Sequence, residues 1–308
     1  MSARWVAGLI LLFSVACLSG VPSLAKQASA EQRTSNQSSK GVPASDAGQS
    51  ASPTPARRAE IRGDIFMARK MYHEAVQTYQ DALLSRGMPV EQQERKRSFF
   101  QRLFGVFGLA REPQNPKDSE LLDKIGIAYQ ELNEMQQAQT YYRRSAEFNR
   151  HFSSPLNNLG TIEFGRRRYK AAVKWYAKAI RVNPHMATTF SNMGYAYLAW
   201  NKYQQAILAF RQAILLDPGI FENRGDLSSV VEEGGGTKSG LYYYTLAKTF
   251  ALLGDADRCA HFLKMARDEG YKKFTDALKD PAFRSVLKDP RVMAILSPPQ
   301  ATASSRTN

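Results

Sequence analysis

Three glycines, Gly126, Gly160 and Gly194, recur every 34 residues, and an alanine follows each one twelve residues later: Ala138, Ala172 and Ala206. Leu122, Leu156 and Phe190 precede the glycines at one offset, Tyr142, Tyr176 and Phe210 follow the alanines at another, and Pro184 and Pro218 close two of the units. A long fixed period restricts the chain to an array of like supersecondary units, each too small to bury its apolar face alone and each stacking on its neighbours. Two antiparallel helices per unit fit the pattern. Gly on the first helix and Ala on the second are small where the helices approach, and the aromatics fill the wider gaps beside them.

On these residues the chain resembles the tetratricopeptide repeat (TPR). The match is fullest over residues 187–220, with Phe190, Met193-Gly194, Tyr197, Tyr203, Ala206, Phe210, Ala213 and Pro218. Residues 153–186 carry Leu156, Leu159-Gly160, Tyr169, Ala172, Tyr176, Ala179 and Pro184, with Glu163 where the family has an aromatic. Residues 119–152 keep Leu122, Ile125-Gly126, Tyr129, Ala138 and Tyr142, but Ser145 replaces the second alanine and Arg150 the proline. Two degenerate units extend the beat: 56–89, around Gly63, Phe66, Ala75, Tyr79 and Ala82, and 240–273, around Leu246-Ala247, Phe250, Gly254, Cys259, Leu263 and Ala266. The resemblance implies an all-α fold, an α-solenoid of about five TPR-like helix-turn-helix repeats with a C-terminal helical cap. It also implies a scaffold or adaptor that holds a protein or peptide partner.

The flanks point to export. Arg4, the apolar run 5–17 and the small-residue site Ser23-Leu24-Ala25 read as a signal peptide over residues 1–25, placing the protein in a bacterial periplasm or outside the cell. The alternative is a lipoprotein, because Ser14-Val15-Ala16-Cys17 is similar to a lipobox whose cysteine would be lipidated. The run is shorter than the ~20 residues that span a bilayer. Cleavage after Ala25 leaves Cys259 as the lone cysteine, so no intramolecular disulfide can form. Residues 26–55, rich in Ser, Ala, Gln and Pro, read as a disordered linker, and 297–308 as a disordered tail. The formal charge of +14, from 42 basic and 28 acidic residues, favours acidic partners or an anionic membrane surface, and export argues against nucleic acid.

Two stretches break the beat. The insertion 90–118 sets Arg95-Lys96-Arg97 ahead of Phe99, Phe100, Leu103, Phe104 and Phe107, which share one face of a helix that Pro113 and Pro116 terminate. That stripe either packs on its own solenoid or makes a membrane or partner contact on anionic lipid or in a partner's groove. A Gly-rich linker over 221–239, containing Glu232-Glu233-Gly234-Gly235-Gly236, reads as a bend or hinge. In 274–296, Asp280-Pro281 and Asp289-Pro290 look like helix starts of a terminal cap.

Nothing in the sequence marks catalysis, a cofactor or a metal. His73, His151, His185 and His261 are scattered outside any HExxH or CxxC arrangement, and Thr237 stands where a phosphate loop needs glycine before Lys238-Ser239. Arg62-Gly63-Asp64 and Arg224-Gly225-Asp226 spell an adhesion tripeptide, but Gly63 already serves as a helix-contact glycine. The resemblance implies instead that first helices line a concave peptide-binding groove, with Lys124, Asn158 and Asn192 two residues before the signature glycine and Asn157, Thr161, Ser191 and Tyr195 beside them. Asparagines in such a row can donate to and accept from an extended peptide backbone. The alternative is that they are solvated polar residues near helix starts. Arg166, Arg167, Arg168, Lys170, Lys174, Lys178 and Arg181 fall on the convex side and read as a solvated face, with an anionic contact surface as the alternative.

Overall fold

The computed structural model describes residues 53–88, 115–222 and 236–297. The signal-peptide region with Cys17, the Phe-rich stripe 99–107, the Arg224-Gly225-Asp226 tripeptide and residues 298–308 lie outside the described residues. The rest forms helical pairs: α1 (Pro55–Ala68) with α2 (Tyr72–Ser85), α3 (Pro116–Glu131) with α4 (Met135–Phe148), and α5 (Ser154–Gly165) with α6 (Tyr169–Val182). Next come α7 (Ala187–Ala199) with α8 (Tyr203–Leu216), and α9 (Gly236–Leu252) with α10 (Ala256–Asp268). Two 3-10 turns, Phe274–Leu278 and Pro281–Phe283, and α11 (Pro290–Leu296) follow. Each pair packs internally, and the second helix of one pair packs on the first helix of the next. The fold is an all-α solenoid.

All five pairs reverse direction with the same turn. Seven residues after the signature small residue the backbone turns left-handed, at Lys70, Asn133, Arg167 and Asn201 (φ 59 to 60°) and at Gly254 (φ 76°). The next amide then donates to a carbonyl five residues back: Met71 to Phe66, Glu134 to Tyr129, Arg168 to Glu163, Lys202 to Tyr197 and Asp255 to Phe250. This closure satisfies carbonyls the ending helix would leave orphaned. Asn and Gly tolerate the left-handed region, whereas Lys70 and Arg167 bear a steric cost of about 1 kcal/mol each.

The signature glycine has a more specific task than helix approach in general. A Cβ added to Gly63, Gly126, Gly160 or Gly194 would lie 2.3 to 2.5 Å from the ring of Tyr79, Tyr142, Tyr176 or Phe210 respectively, so the aromatic sixteen residues later is seated on bare glycine backbone. Those rings are at most 2% exposed. Where the ring is tyrosine, its hydroxyl also ties back to the first helix or its last turn: Tyr79 donates to Asp64 (2.7 Å), Tyr142 to Gln130 (3.1 Å), and Tyr176 meets Thr161 (3.3 Å). The fifth pair changes both members together, with Ala247 in the glycine's place and Leu263 in the ring's, each fully buried.

Stacking is continuous across both interruptions. Leu83, Tyr79 and Val76 of the first pair share a core with Leu121, Leu122 and Ile125 of the second. The α3 helix begins at Pro116 with Asn115 capping Lys117, so this proline opens the next helix. The Gly-rich stretch expected to bend or hinge lies, over residues 223–235, outside the described residues. Phe221 is buried at ring distance (5.4 Å) from Phe210, α9 begins at Gly236, and Tyr195, Phe210 and Tyr242 form one aromatic cluster, so pairs four and five share a core. Phe283, Val286, Val292 and Leu296 close the far end, with Asp280 and Asp289 accepting the first backbone amides of the Pro281 turn and of α11. At the near end, exposed Arg58 and Arg62 stand at the helix positions that the buried Leu121 and Ile125 hold in α3, which suits a terminal face that no repeat covers.

Helix propensity favours Ala over Gly by about 1 kcal/mol, so the seat contact predicts the opposite sign: Gly160→Ala should destabilise the fold by about 1–3 kcal/mol through overpacking on Tyr176. In urea denaturation, Gly160→Ala/Tyr176→Leu should lose less than the sum of its single variants, by about 1 kcal/mol. Additive losses would refute the seat.

Candidate interaction surfaces

The polar residues of the first helices form rungs between successive pairs. Lys124 donates to Glu60 (3.2 Å), Asn158 to Asp123 (3.2 Å) and Asn192 to Asn157 (3.1 Å). In each rung a residue two before one signature glycine meets a residue three before the previous one. The shared offset follows from the stacking itself, which brings equivalent turns of neighbouring first helices side by side. Asn157 also donates to Asn158 across 3.4 Å, which links two rungs.

The groove residues expected from sequence therefore divide. Lys124, Asn157, Asn158, Thr161 and Asn192 are half-buried in this row, each with a partner inside the chain. Ser191 and Tyr195 are a correction. Ser191 is fully buried, and Tyr195 is buried with its ring against Phe210 and Tyr242 and its hydroxyl 2.8 Å from that of Tyr242. Sequence reasoning missed Asp123 and Glu60, the acceptors of two rungs, which stand three positions before Gly126 and Gly63.

Charge around the first rung is dense and balanced. Glu60 meets Arg57, Arg86 and Lys124, Lys124 also reaches Asp64 (2.7 Å), and Arg86 reaches Asp118 (2.8 Å). Burial pushes the Glu60 carboxyl up, but hydrogen bonds and charge from Arg57 and Lys124 outweigh it and hold the group below the usual carboxylate range. Asp123 has no such cation. It is 4% exposed and held by Ser154 (2.7 Å) and Asn158, and burial pushes its carboxyl up to about 6 despite those two bonds. Glu163, where the family has an aromatic, is buried with Arg166 and Arg168 as partners.

The second helices present a different surface. Lys174, Lys178 and Arg181 are exposed along α6, and Arg143 and Arg150 flank a notch of about 350 Å³ between α4 and α6, with Trp175 and Leu159 in its lining. A wider depression of about 600 Å³ runs along α7 and α8, lined by Phe190, Met193, Tyr197, Leu208 and Leu215. Among the described residues no group of three or more His, Cys, Asp or Glu side chains could hold a metal, and no helix is long and apolar enough to cross a membrane. Cys259 is fully buried in the small-residue position of α10, and burial raises its thiol to about 12, which keeps it protonated and inert.

Asp123 makes stability depend on pH. Its folded pKa near 6 lies above the usual 3.8, so the stability it contributes is complete below about pH 4 and lost as pH rises through 6. Asp123→Asn should flatten the stability profile between pH 4 and 6 and raise stability at pH 7 by about 1–2 kcal/mol. Urea denaturation across that range checks it, and an unchanged profile would contradict the assignment.

Family models for the tetratricopeptide repeat match residues 119–152 and 152–216. No curated protein matches. Among solved structures, MamA from Desulfovibrio magneticus RS-1 is 16% identical over 70% of this chain and 96% of its own, with a TM-score of 0.43. YrrB, described as a TPR protein with an unusual peptide-binding site, is 13% identical over 73% of this chain and 92% of its own, with a TM-score of 0.41. TTC0263, a TPR protein from Thermus thermophilus, is 15% identical over 75% of this chain and 99% of its own, with a TM-score of 0.41. The matched models cover the three pairs in which the glycine seat, the left-handed turn and the 34-residue beat coincide, and over residues 119–216 the chain is built of tetratricopeptide repeats.

Proposed function

We propose that the chain is an exported scaffold, without chemistry of its own, that holds an extended peptide segment of a partner protein along its first-helix face. The repeat array supports a protein–protein interaction scaffold in general. The observation that carries the finer reading is the row of half-buried polar groups, Lys124, Asn157, Asn158, Thr161 and Asn192, spread over three consecutive pairs. A rung uses only part of what an amide offers. Each asparagine has two N–H donors and a carbonyl oxygen with two acceptor sites, and the rung of Asn192 uses one donor. The remaining capacity suits a peptide backbone, which presents alternating donors and acceptors. Ser191 and Tyr195, being buried, take no part.

A photo-crosslinking residue at Thr161 or Asn192 should give a discrete protein adduct in the native envelope fraction, and the same residue at exposed Lys264 should give none. Adducts of equal yield at all three positions, or at none, would sink the groove. Export is tested separately by the N-terminus of the cellular protein. It should begin at Lys26, or at a lipidated Cys17 if the lipobox is used. A chain beginning at Met1 in the cytoplasmic fraction would overturn export and leave the groove untouched.

A further inference from the structure

Several cations of the array are matched by carboxylates. Lys124 and Arg86 meet Glu60, Asp64 and Asp118, Arg166 and Arg168 meet Glu163, and Arg258 meets Asp255 and Glu222. The α4–α6 surface gathers five that are not. Lys174, Lys178 and Arg181 on α6, Arg143 on α4 and Arg150 in the turn after it are all exposed, and none has an ion-pair partner among the described residues. Lys174 and Lys178, four residues apart on one helix, repel each other, so their placement costs helix stability rather than adding to it. Of these charges only Lys178, over the Trp175 ring, makes a favourable contact within the array.

Between the two helices two of these cations, Arg143 and Arg150, line an opening. The notch of about 350 Å³ is lined by Arg143, Ala146, Glu147, Arg150, Leu159 and Trp175, so Glu147 is the one carboxylate on its wall. Trp175 is half-buried, packed below against the core of Tyr142 and Leu159, and the Lys178 ammonium sits 3.9 Å from its ring centre. A cation over an aromatic face, with further cations around it and an apolar floor beneath, is complementary to an acidic chain that carries a bulky apolar side chain.

We propose that α4 and α6 form a second docking surface, on the side away from the first-helix row, for an acidic polypeptide segment with an apolar anchor residue that enters the notch over Trp175. The shape decides between anionic occupants. A bilayer is flat on this scale and would touch the lysines without reaching a ring recessed between two helices, whereas a single side chain can enter. Unpaired charges give this surface steering and salt dependence, and the notch gives it selectivity for the anchor.

The test uses the full-length chain and a short fluorescent peptide of glutamates around one central phenylalanine, with binding read by anisotropy at low salt. Lys174→Glu/Lys178→Glu should weaken binding by about tenfold or more, equivalent to loss of about 0.7 kcal/mol per substituted residue. Arg143→Gln/Arg150→Gln, on α4 and in the turn after it, should weaken it by a smaller factor, and circular dichroism confirms that each variant keeps its helices. A peptide with alanine in place of the phenylalanine should bind several-fold more weakly. Asn192→Ala should bind as the parent does, which separates this surface from the first-helix row. Unchanged binding in both charge variants, or equal binding of the alanine peptide, overturns the proposal. So does tighter, charge-sensitive binding to phosphatidylglycerol vesicles or to polyuridylate than to the peptide, which would assign the surface to lipid or nucleic acid.

Discussion

An aromatic ring resting on bare glycine backbone governs the geometry of each pair. Because Tyr79, Tyr142, Tyr176 and Phe210 lie within the space a Cβ would occupy on Gly63, Gly126, Gly160 and Gly194, the two helices of a pair are held at one separation and one register. The left-handed turn seven residues after the glycine then follows from the same register, since the second helix must start where its ring can reach back. The fifth pair shows that the contact is a joint property of two positions. Alanine is accepted at 247 where leucine replaces the ring at 263, and both are fully buried. A glycine or a ring considered alone would not reveal this.

Once the pairs share a geometry, equivalent turns of neighbouring first helices meet, and their polar residues meet each other before they meet any ligand. The rungs Glu60–Lys124, Asp123–Asn158 and Asn157–Asn192 arise in this way. Their chemistry shifts along the array, from an ion pair through a carboxylate–amide contact to an amide–amide contact. Stacking energy in a solenoid is a sum of nearest-neighbour terms. The polar terms here thus differ from one interface to the next, with Asp123, a buried carboxylate held by the neutral Ser154 and Asn158, at the second.

The pairs themselves were legible in the sequence because a 34-residue beat carries its meaning in spacing, which does not depend on the energetics of any one contact. Even the degenerate units at 56–89 and 240–273 kept enough small and aromatic positions to be placed. Side-chain direction within the first helix was less legible. Ser191 and Tyr195 occupy the same repeat positions as Asn157 and Thr161, yet they are buried, and Tyr195 meets Tyr242, which arrives across an interruption of the beat whose packing no spacing rule foretells. Pro116 and Gly236 are ambiguous in sequence for a related reason. Each can end one element or begin another, and only the packed neighbours decide.

The two faces of the array divide its charge unevenly, and that division limits what each can do. On the first-helix side the carboxylates Glu60, Asp64 and Asp118 neutralise Lys124 and Arg86, so little net field remains there to attract a charged partner. Recognition on that side would rest on hydrogen-bond geometry at short range. On α6 the positive groups stay exposed and uncompensated, so the long-range field of the described array is directed from its second-helix side. An acidic partner would be drawn toward α4 and α6 first, and a segment of it could reach the first-helix row only by passing around an edge of the array.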